Sequence, residues 1–140
     1  MPPVMKALVD EGVKIDGFIA PGHVSAITGT AIYNDLATVC KLGVVIAGFE
    51  PVDLMQAILM LVRQAESGSP KVEIQYRRVV QDKGNKIAQE LLATVFELKD
   101  DRWRGLGIIP KSGLKIRDDF SEFDAEKHFS VEIPESTEPK

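Results

Sequence analysis

The feature that most restricts the possible folds is an uninterrupted apolar run over residues 43–49, GVVIAGF. A run of this kind predicts a strand buried on both faces, as in a parallel sheet. Glu50 and Pro51 end the run and open an apolar helical segment over 51–68, because proline suits the first helical position. Apolar positions cover most of this helix, so we expect it to be heavily buried.

A second strand–loop–helix unit comes earlier in the chain. Residues 13–20 predict a strand that Pro21 and Gly22 stop, and Ser25 is placed to cap a helix reaching about residue 39. The motifs GFIAP and GFEP of the two units lie 31 residues apart, the spacing of one βα unit. We therefore predict an α/β fold, a three-layer αβα domain with a mostly parallel sheet built from successive βα units.

The segments that follow predict further elements around this sheet. Residues 71–80 predict a third, more exposed strand, and residues 86–98 predict a helix that Asn85 caps. Residues 103–109 predict a last short strand, which is followed by a loop.

Charge is unevenly distributed along the chain. The net charge of −4 and the pI near 5.2 argue against a nucleic-acid-binding protein, which is usually basic. Residues 71–117 carry a net charge of +5 and residues 118–140 one of −6, which we interpret as solvated surface. We assign 1–117 to a single α/β domain and 118–140 to an acidic C-terminal segment, partly disordered or a linker.

Cysteine content and hydropathy restrict the cellular setting. The single cysteine, Cys40, excludes an internal disulfide and a multi-cysteine metal site within these residues, and we predict a buried, inert thiol. No leader opens the sequence, and no apolar run approaches the roughly 20 residues that a membrane helix needs. We therefore expect a cytoplasmic protein without a membrane partner.

His23 is the main candidate for chemistry. It lies between the end of a predicted strand and the start of a helix, where open α/β sheets bind ligands, and Pro21, Gly22 and Ser25 shape its loop. Two interpretations of His23 stay open. Its imidazole acts on a ligand or a metal, or it is a loop histidine that only forms hydrogen bonds within its own turn. No other metal ligand is predicted.

Glu50 is a weaker candidate. It ends the next strand, so it is predicted to open on the same rim of the sheet as His23. A carboxylate that only stabilises a helix start is the favoured interpretation.

A group of small and hydroxylated residues follows His23. Ser25, Thr28, Gly29 and Thr30 could cradle an anion at a helix start. Because no GxGxxG or GxxxxGK[ST] pattern is present, capping and close helix–sheet packing through Gly29 are favoured. Tyr33 completes the candidate cleft, with packing as its favoured role.

Several of these stretches resemble one known family. Residues 17–25 (GFIAPGHVS) resemble the middle signature motif of the HypD family of [NiFe]-hydrogenase maturation proteins. Matches continue in order through residues 45–51 (VIAGFEP) and 103–107 (WRGLG). The resemblance covers nearly the whole chain but less than half of the family's usual length, so we expect the second domain of a longer protein.

The resemblance implies a scaffold role. Together with a HypC-like small chaperone and a HypE-like cyanide donor, such a protein holds the iron on which the Fe(CN)2CO unit of [NiFe]-hydrogenase is assembled. His23 would assist iron or cyanide chemistry, with Glu50 as a neighbour. The chain is then a metallocofactor assembly factor rather than an enzyme.

The family's reactive cysteines and its [4Fe–4S] cluster lie in segments that this chain does not match. By this resemblance, residues 118–140 would be a linker to the Fe–S segment. No cofactor is therefore expected within these residues, and they are expected to be inactive alone. Two other functions stay open on the sequence. One is an enzyme domain that binds a small anionic ligand with His23 as general base, and the other is a protein-docking module that uses the basic region 71–117.

Overall fold

The computed structural model describes residues 2–130, which divide into two compact units, 4–89 and the residues from 90 onward. Helix α5, Lys86–Val95, runs across this division. The predicted domain over 1–117 contains parts of both units and stays a prediction.

The first unit is built on a parallel sheet of three strands in the order β1–β2–β3. Strand β1 is Gly17–Pro21, β2 is Gly43–Ala47 and β3 is Val72–Ile74. Every residue of β2 is buried, as the uninterrupted apolar run predicts. Because β1 pairs with β2 from Gly17 opposite Gly43 to Pro21 opposite Ala47, the two strands end at the same edge of the sheet.

Helices lie on both faces of this sheet, so the predicted α/β class and αβα layering are confirmed. The first unit contains α1 (Pro2–Asp10), α2 (Gly22–Thr28), α3 (Asn34–Thr38) and α4 (Pro51–Ser67). Alternate residues of a strand point to opposite faces. Two core clusters follow from this alternation: Met5, Ala20, Tyr33, Leu36, Val44, Ile46, Ile74 and Val80 on one face, and Val45, Ala47 and Ala57 on the other.

The prediction of one helix from Ser25 to about residue 39 is wrong. Helix α2 begins at Gly22 and ends at Thr28, and a 3-10 turn over Ala31–Tyr33 separates it from α3. The break occurs at Gly29, whose φ of +76° is a conformation that other residues rarely adopt. Ser25 therefore lies inside α2 and does not cap it.

The expectation that α4 is heavily buried is also wrong. Only Asp53, Ala57 and Gln64 of this helix are buried, and most of its large apolar side chains are exposed. Apolar residues around a whole helix predict burial, but in residues 2–130 α4 packs on the sheet along one side.

Several predicted bounds also differ from the structure. The first and third strands are shorter than predicted, and α5 ends at Val95 instead of residue 98. The second unit contains an antiparallel hairpin of β4 (Phe96–Trp103) and β5 (Gly107–Ile116). The loop predicted after residue 109 is therefore the middle of a strand.

The acidic segment is partly structured. Asp118–Phe123 forms a 3-10 helix and Ala125–His128 forms helix α6, so disorder is not general after residue 118. The rest of the predicted linker, 131–140, lies outside the described residues. Within residues 2–130, no helix is long and apolar enough to cross a membrane.

Candidate functional site

The candidate site lies at the carboxyl edge of the three-stranded sheet. Because the strands are parallel, the segments that follow them open along this edge, where open α/β sheets bind ligands. His23, exposed in the first turn of α2, follows β1, and Phe49 follows β2. Their rings stack at 4.2 Å between centroids with an interplanar angle of 37°. The structure therefore brings the two βα loops together, as predicted.

An ion pair with a buried carboxylate and a half-exposed guanidinium adjoins these loops. The guanidinium of Arg78 donates to both carboxylate oxygens of Asp53, at 2.8 and 2.5 Å. The Asp53 side chain is only 4% exposed, whereas that of Arg78 is half exposed. Paired N–H···O bonds of this kind fix geometry as well as charge. The hydrogen bonds from Arg78 hold the pKa of Asp53 well below its usual range, and Asp53 raises the pKa of Arg78.

An amide connects the ion pair to the backbone of the second loop. Gln75 donates through Nε2 to Asp53 Oδ1 at 2.9 Å, and its Oε1 accepts from the Gly48 N–H at 3.1 Å. The Glu50 N–H donates to Asp53 Oδ2 at 3.4 Å. The buried carboxylate thus holds the segment between β2 and α4 in place.

Aromatic contacts lead from the ion pair to His23. The Arg78 guanidinium lies 4.3 Å from the centre of the Tyr76 ring, which meets the Phe49 ring edge-on at 6.5 Å. Phe49 in turn stacks on His23. Cation–π and edge-to-face contacts are individually weak, but together they restrict where the imidazole can lie.

Two glycines permit this close packing. A Cβ at Gly22 would lie 2.6 Å from the Ala47 carbonyl oxygen and 2.6 Å from Tyr76 Cδ1. A Cβ at Gly48 would collide with the carboxylate of Asp53. Larger residues at either position would therefore push the loops apart.

Glu50 lies at the same edge and forms a longer, more exposed ion pair with Arg78. Its carboxylate is 3.6 Å from Arg78 Nη2, and its side chain is 77% exposed. Glu50 and His23 therefore share one rim of the sheet, and Glu50 is also the N-terminal capping residue of α4.

Ser25 and Tyr33 lie beneath the loop and not in a cleft. Both are completely buried, and Ser25 Oγ donates to the Pro21 carbonyl oxygen at 2.8 Å. The Tyr33 hydroxyl lies 3.2 Å from Ser25 Oγ, and since the serine proton is already used, Tyr33 is the donor. Burial raises the pKa of Tyr33. Together they hold the Pro21–Gly22 bend.

The alternative of an anion cradle in residues 25–30 receives no support from the hydroxyl geometry. Thr28 donates to the Val24 carbonyl and Thr30 to the Asp82 carbonyl. Gly29 lies at the C-terminal end of α2, whereas His23 lies at its N-terminal end. It packs against residues 82–84, so the predicted packing of Gly29 against the sheet is wrong.

Four residues of this site were not predicted from the sequence: Asp53, Gln75, Tyr76 and Arg78. Helical spacing carried a usable signal, because Asp53 falls on the same side of α4 as Ala57 and Gln64. A carboxylate on a buried side needs a cationic or hydrogen-bonding partner.

Cys40 and His128 take part in none of the contacts described above. Cys40 is half-buried beside the first core cluster, and His128 is exposed in the second unit. Within the described residues 2–130, no three His, Cys, Asp or Glu side chains are grouped as metal ligands.

Comparison with known proteins assigns the family. A family model described as HypD, hydrogenase formation hypA family, matches residues 1–140. The chain is 50% identical over 121 residues to hydrogenase maturation factor HypD1 of Bradyrhizobium diazoefficiens, covering 86% of this chain and 32% of that protein. It is 48% identical over 129 residues to HypD of Escherichia coli, with 91% and 35% covered. For HypD of Cupriavidus necator the values are 51% over 120 residues, with 85% and 32% covered.

The chain thus spans about a third of the length of the curated relatives it matches. A model match along all 140 residues, together with relatives near 50% identity, leads to one conclusion. The chain belongs to the HypD family of hydrogenase maturation proteins.

Proposed function

We propose that this chain is the His23-bearing part of a scaffold on which the Fe(CN)2CO unit of [NiFe]-hydrogenase is assembled. The observation that carries the proposal is the exposed His23 imidazole, held by Phe49 at the carboxyl edge of the sheet within the motif PGHVS. Membership of a maturation family supplies the pathway.

In this proposal iron is the cargo of the scaffold. Imidazole nitrogen suits iron, and a histidine can also accept or donate a proton near neutral pH. His23 therefore either contacts the iron or moves a proton as cyanide is delivered. Thiolates, which are the soft ligands for such an iron, would come from the two thirds of the family protein that this chain does not match.

The partners belong to the same proposal. A HypC-like chaperone would share the iron, and a HypE-like protein would deliver cyanide in the cytoplasm. The chain would then act as an assembly factor rather than an enzyme, and these residues alone would be inactive.

The test uses the full-length E. coli relative, purified with its partners. We expect that replacing the residue aligned with His23 by alanine removes or shifts the infrared bands of bound CN and CO. Replacement of the residue aligned with His128, exposed in the second unit, is the matched control. Unchanged bands and normal hydrogenase maturation in the His23 variant would overturn the role assigned to His23.

A further inference from the structure

Helix α4 carries a continuous apolar surface on the side turned away from the sheet. At 3.6 residues per turn, this surface spans roughly 160° of the helix circumference. Its members are between 40% and 67% exposed: Val52, Leu54, Met55, Ile58, Leu59 and Val62. We call this set the α4 apolar surface. Monomeric proteins rarely expose a contiguous patch of this kind without a partner.

The orientation of α4 on the sheet shows where this surface leads. On the β3 side, the helix is fixed by polar contacts, among them Gln64 Nε2 donating to Glu73 Oε2 at 2.7 Å. On the β1 side, Leu61 lies over Gly17, where a Cβ would be 3.1 Å from Leu61 Cδ2. Helical spacing puts Leu54 and Ile58 beyond Leu61 on this β1 side.

The apolar surface continues onto the sheet. Strand β1 is an edge strand of the three-stranded sheet, and its Ile19 pairs with Val45, whose side chain lies on the α4 face. Ile19 is 44% exposed. Parallel sheets normally have both faces covered, yet within residues 2–130 this part of the α4 face is open.

We propose that the α4 apolar surface and Ile19 are the docking surface for the part of the HypD protein outside these 140 residues. The chain covers only 32–38% of its relatives, so most of a family protein remains to be placed. An apolar surface on α4, next to a strand edge that has no partner strand within residues 2–130, fits a further helix or βα element of the same polypeptide. The inference rests on family membership and not on the iron chemistry proposed above.

The test compares the same double substitution in two contexts. In the 140-residue chain, Met55→Glu with Leu59→Lys is expected to lower the melting temperature by no more than about 2 °C, because both positions are exposed, both new residues are good helix formers and their charges attract at i, i+4. At the aligned positions of the full-length E. coli relative, the pair is expected to lower the melting temperature by several degrees, because it places charge in a covered apolar contact.

Controls separate the possible results. Arg63→Asp, on the polar side of α4, is expected to change neither protein, and the single Leu59→Gln keeps the comparison measurable if the pair prevents folding. Equal melting temperatures of the full-length variant and its parent would overturn the proposal. A large loss in the 140-residue chain would also overturn it, and light scattering would then show whether a second copy covers the surface.

Discussion

A single buried carboxylate organises the candidate site. Asp53 accepts hydrogen bonds from Arg78 and Gln75, and these residues reach His23 through Tyr76 and Phe49. The sequence placed His23 correctly just after the end of a strand, because proline and glycine stop a strand. It could not identify its support, since the partners lie more than 20 residues apart in the chain.

Asp53 predicts a specific loss of stability in acid. Because its pKa is lower in the folded state, its contribution is fully present above the unfolded-state value of about 3.9. The contribution is lost as the pH falls below that value toward the folded-state pKa. We expect the free energy of unfolding of the parent chain to fall from about pH 5 downward.

The matched variant is Asp53→Asn, measured by urea denaturation between pH 3 and 7. It is expected to be less stable than the parent at pH 7, with the difference shrinking as the pH falls. A difference that is constant over this range would show that Asp53 acts through packing and not through charge.

The position of His23 is expected to depend on the aromatic contacts. Phe49→Leu removes the ring that stacks on the imidazole, and Arg78→Ala removes the guanidinium that lies on Tyr76. Both should shift the His23 ring-proton resonances, the first more strongly. The chain has only two histidines, so His128 is an internal control. Identical His23 spectra in Arg78→Ala and the parent would show that Arg78 does not influence the position of His23 through Tyr76 and Phe49.

The ends of helices α2 and α5 are fixed in different ways. Helix α2 ends at Thr28, and residues 82–84, just before the start of α5, approach Gly29 closely. The Asn85 side chain accepts a hydrogen bond from the Ala88 N–H at 3.1 Å, which confirms the predicted cap. Local chemistry therefore identified this helix start, whereas the break at Gly29 required a contact distant in sequence.

The cap gives a prediction for α5. Asn85→Ala is expected to lower the free energy of unfolding by about 1 kcal/mol, because the Ala88 N–H loses its acceptor. Asn85→Asp, which keeps a capping oxygen, should recover most of the loss. Urea denaturation measures both, and equal stability of Asn85→Ala and the parent would contradict a capping role.

For the whole molecule, the division into two compact units is the main feature. Both core clusters of the first unit lie between Met5 and Val80, so its core needs no residue beyond α5. The hairpin of the second unit is antiparallel and local in sequence. We therefore treat the first unit as able to fold independently.

A shortened chain of residues 1–95, which retains α5, tests this independence. It is expected to give a cooperative thermal transition and His23 and Tyr33 resonances close to those of the parent. The control is a chain of residues 1–71, which lacks β3 and is expected not to fold. A 1–95 chain without cooperative unfolding would show that the first unit depends on the second.

The sequence by itself determined the α/β class, the fully buried strand β2, the cap at Asn85 and the position of His23 just after the end of a strand. These features follow from periodicity, from backbone restrictions of proline and glycine, and from local hydrogen bonding. The Asp53–Arg78 ion pair, the Ser25–Tyr33 bond and the open apolar side of α4 were decided only by the tertiary structure. The ion pair and the hydrogen bond depend on contacts between separate segments, and the exposure of α4 depends on how few residues pack against it. Local residue patterns do not determine these tertiary contacts.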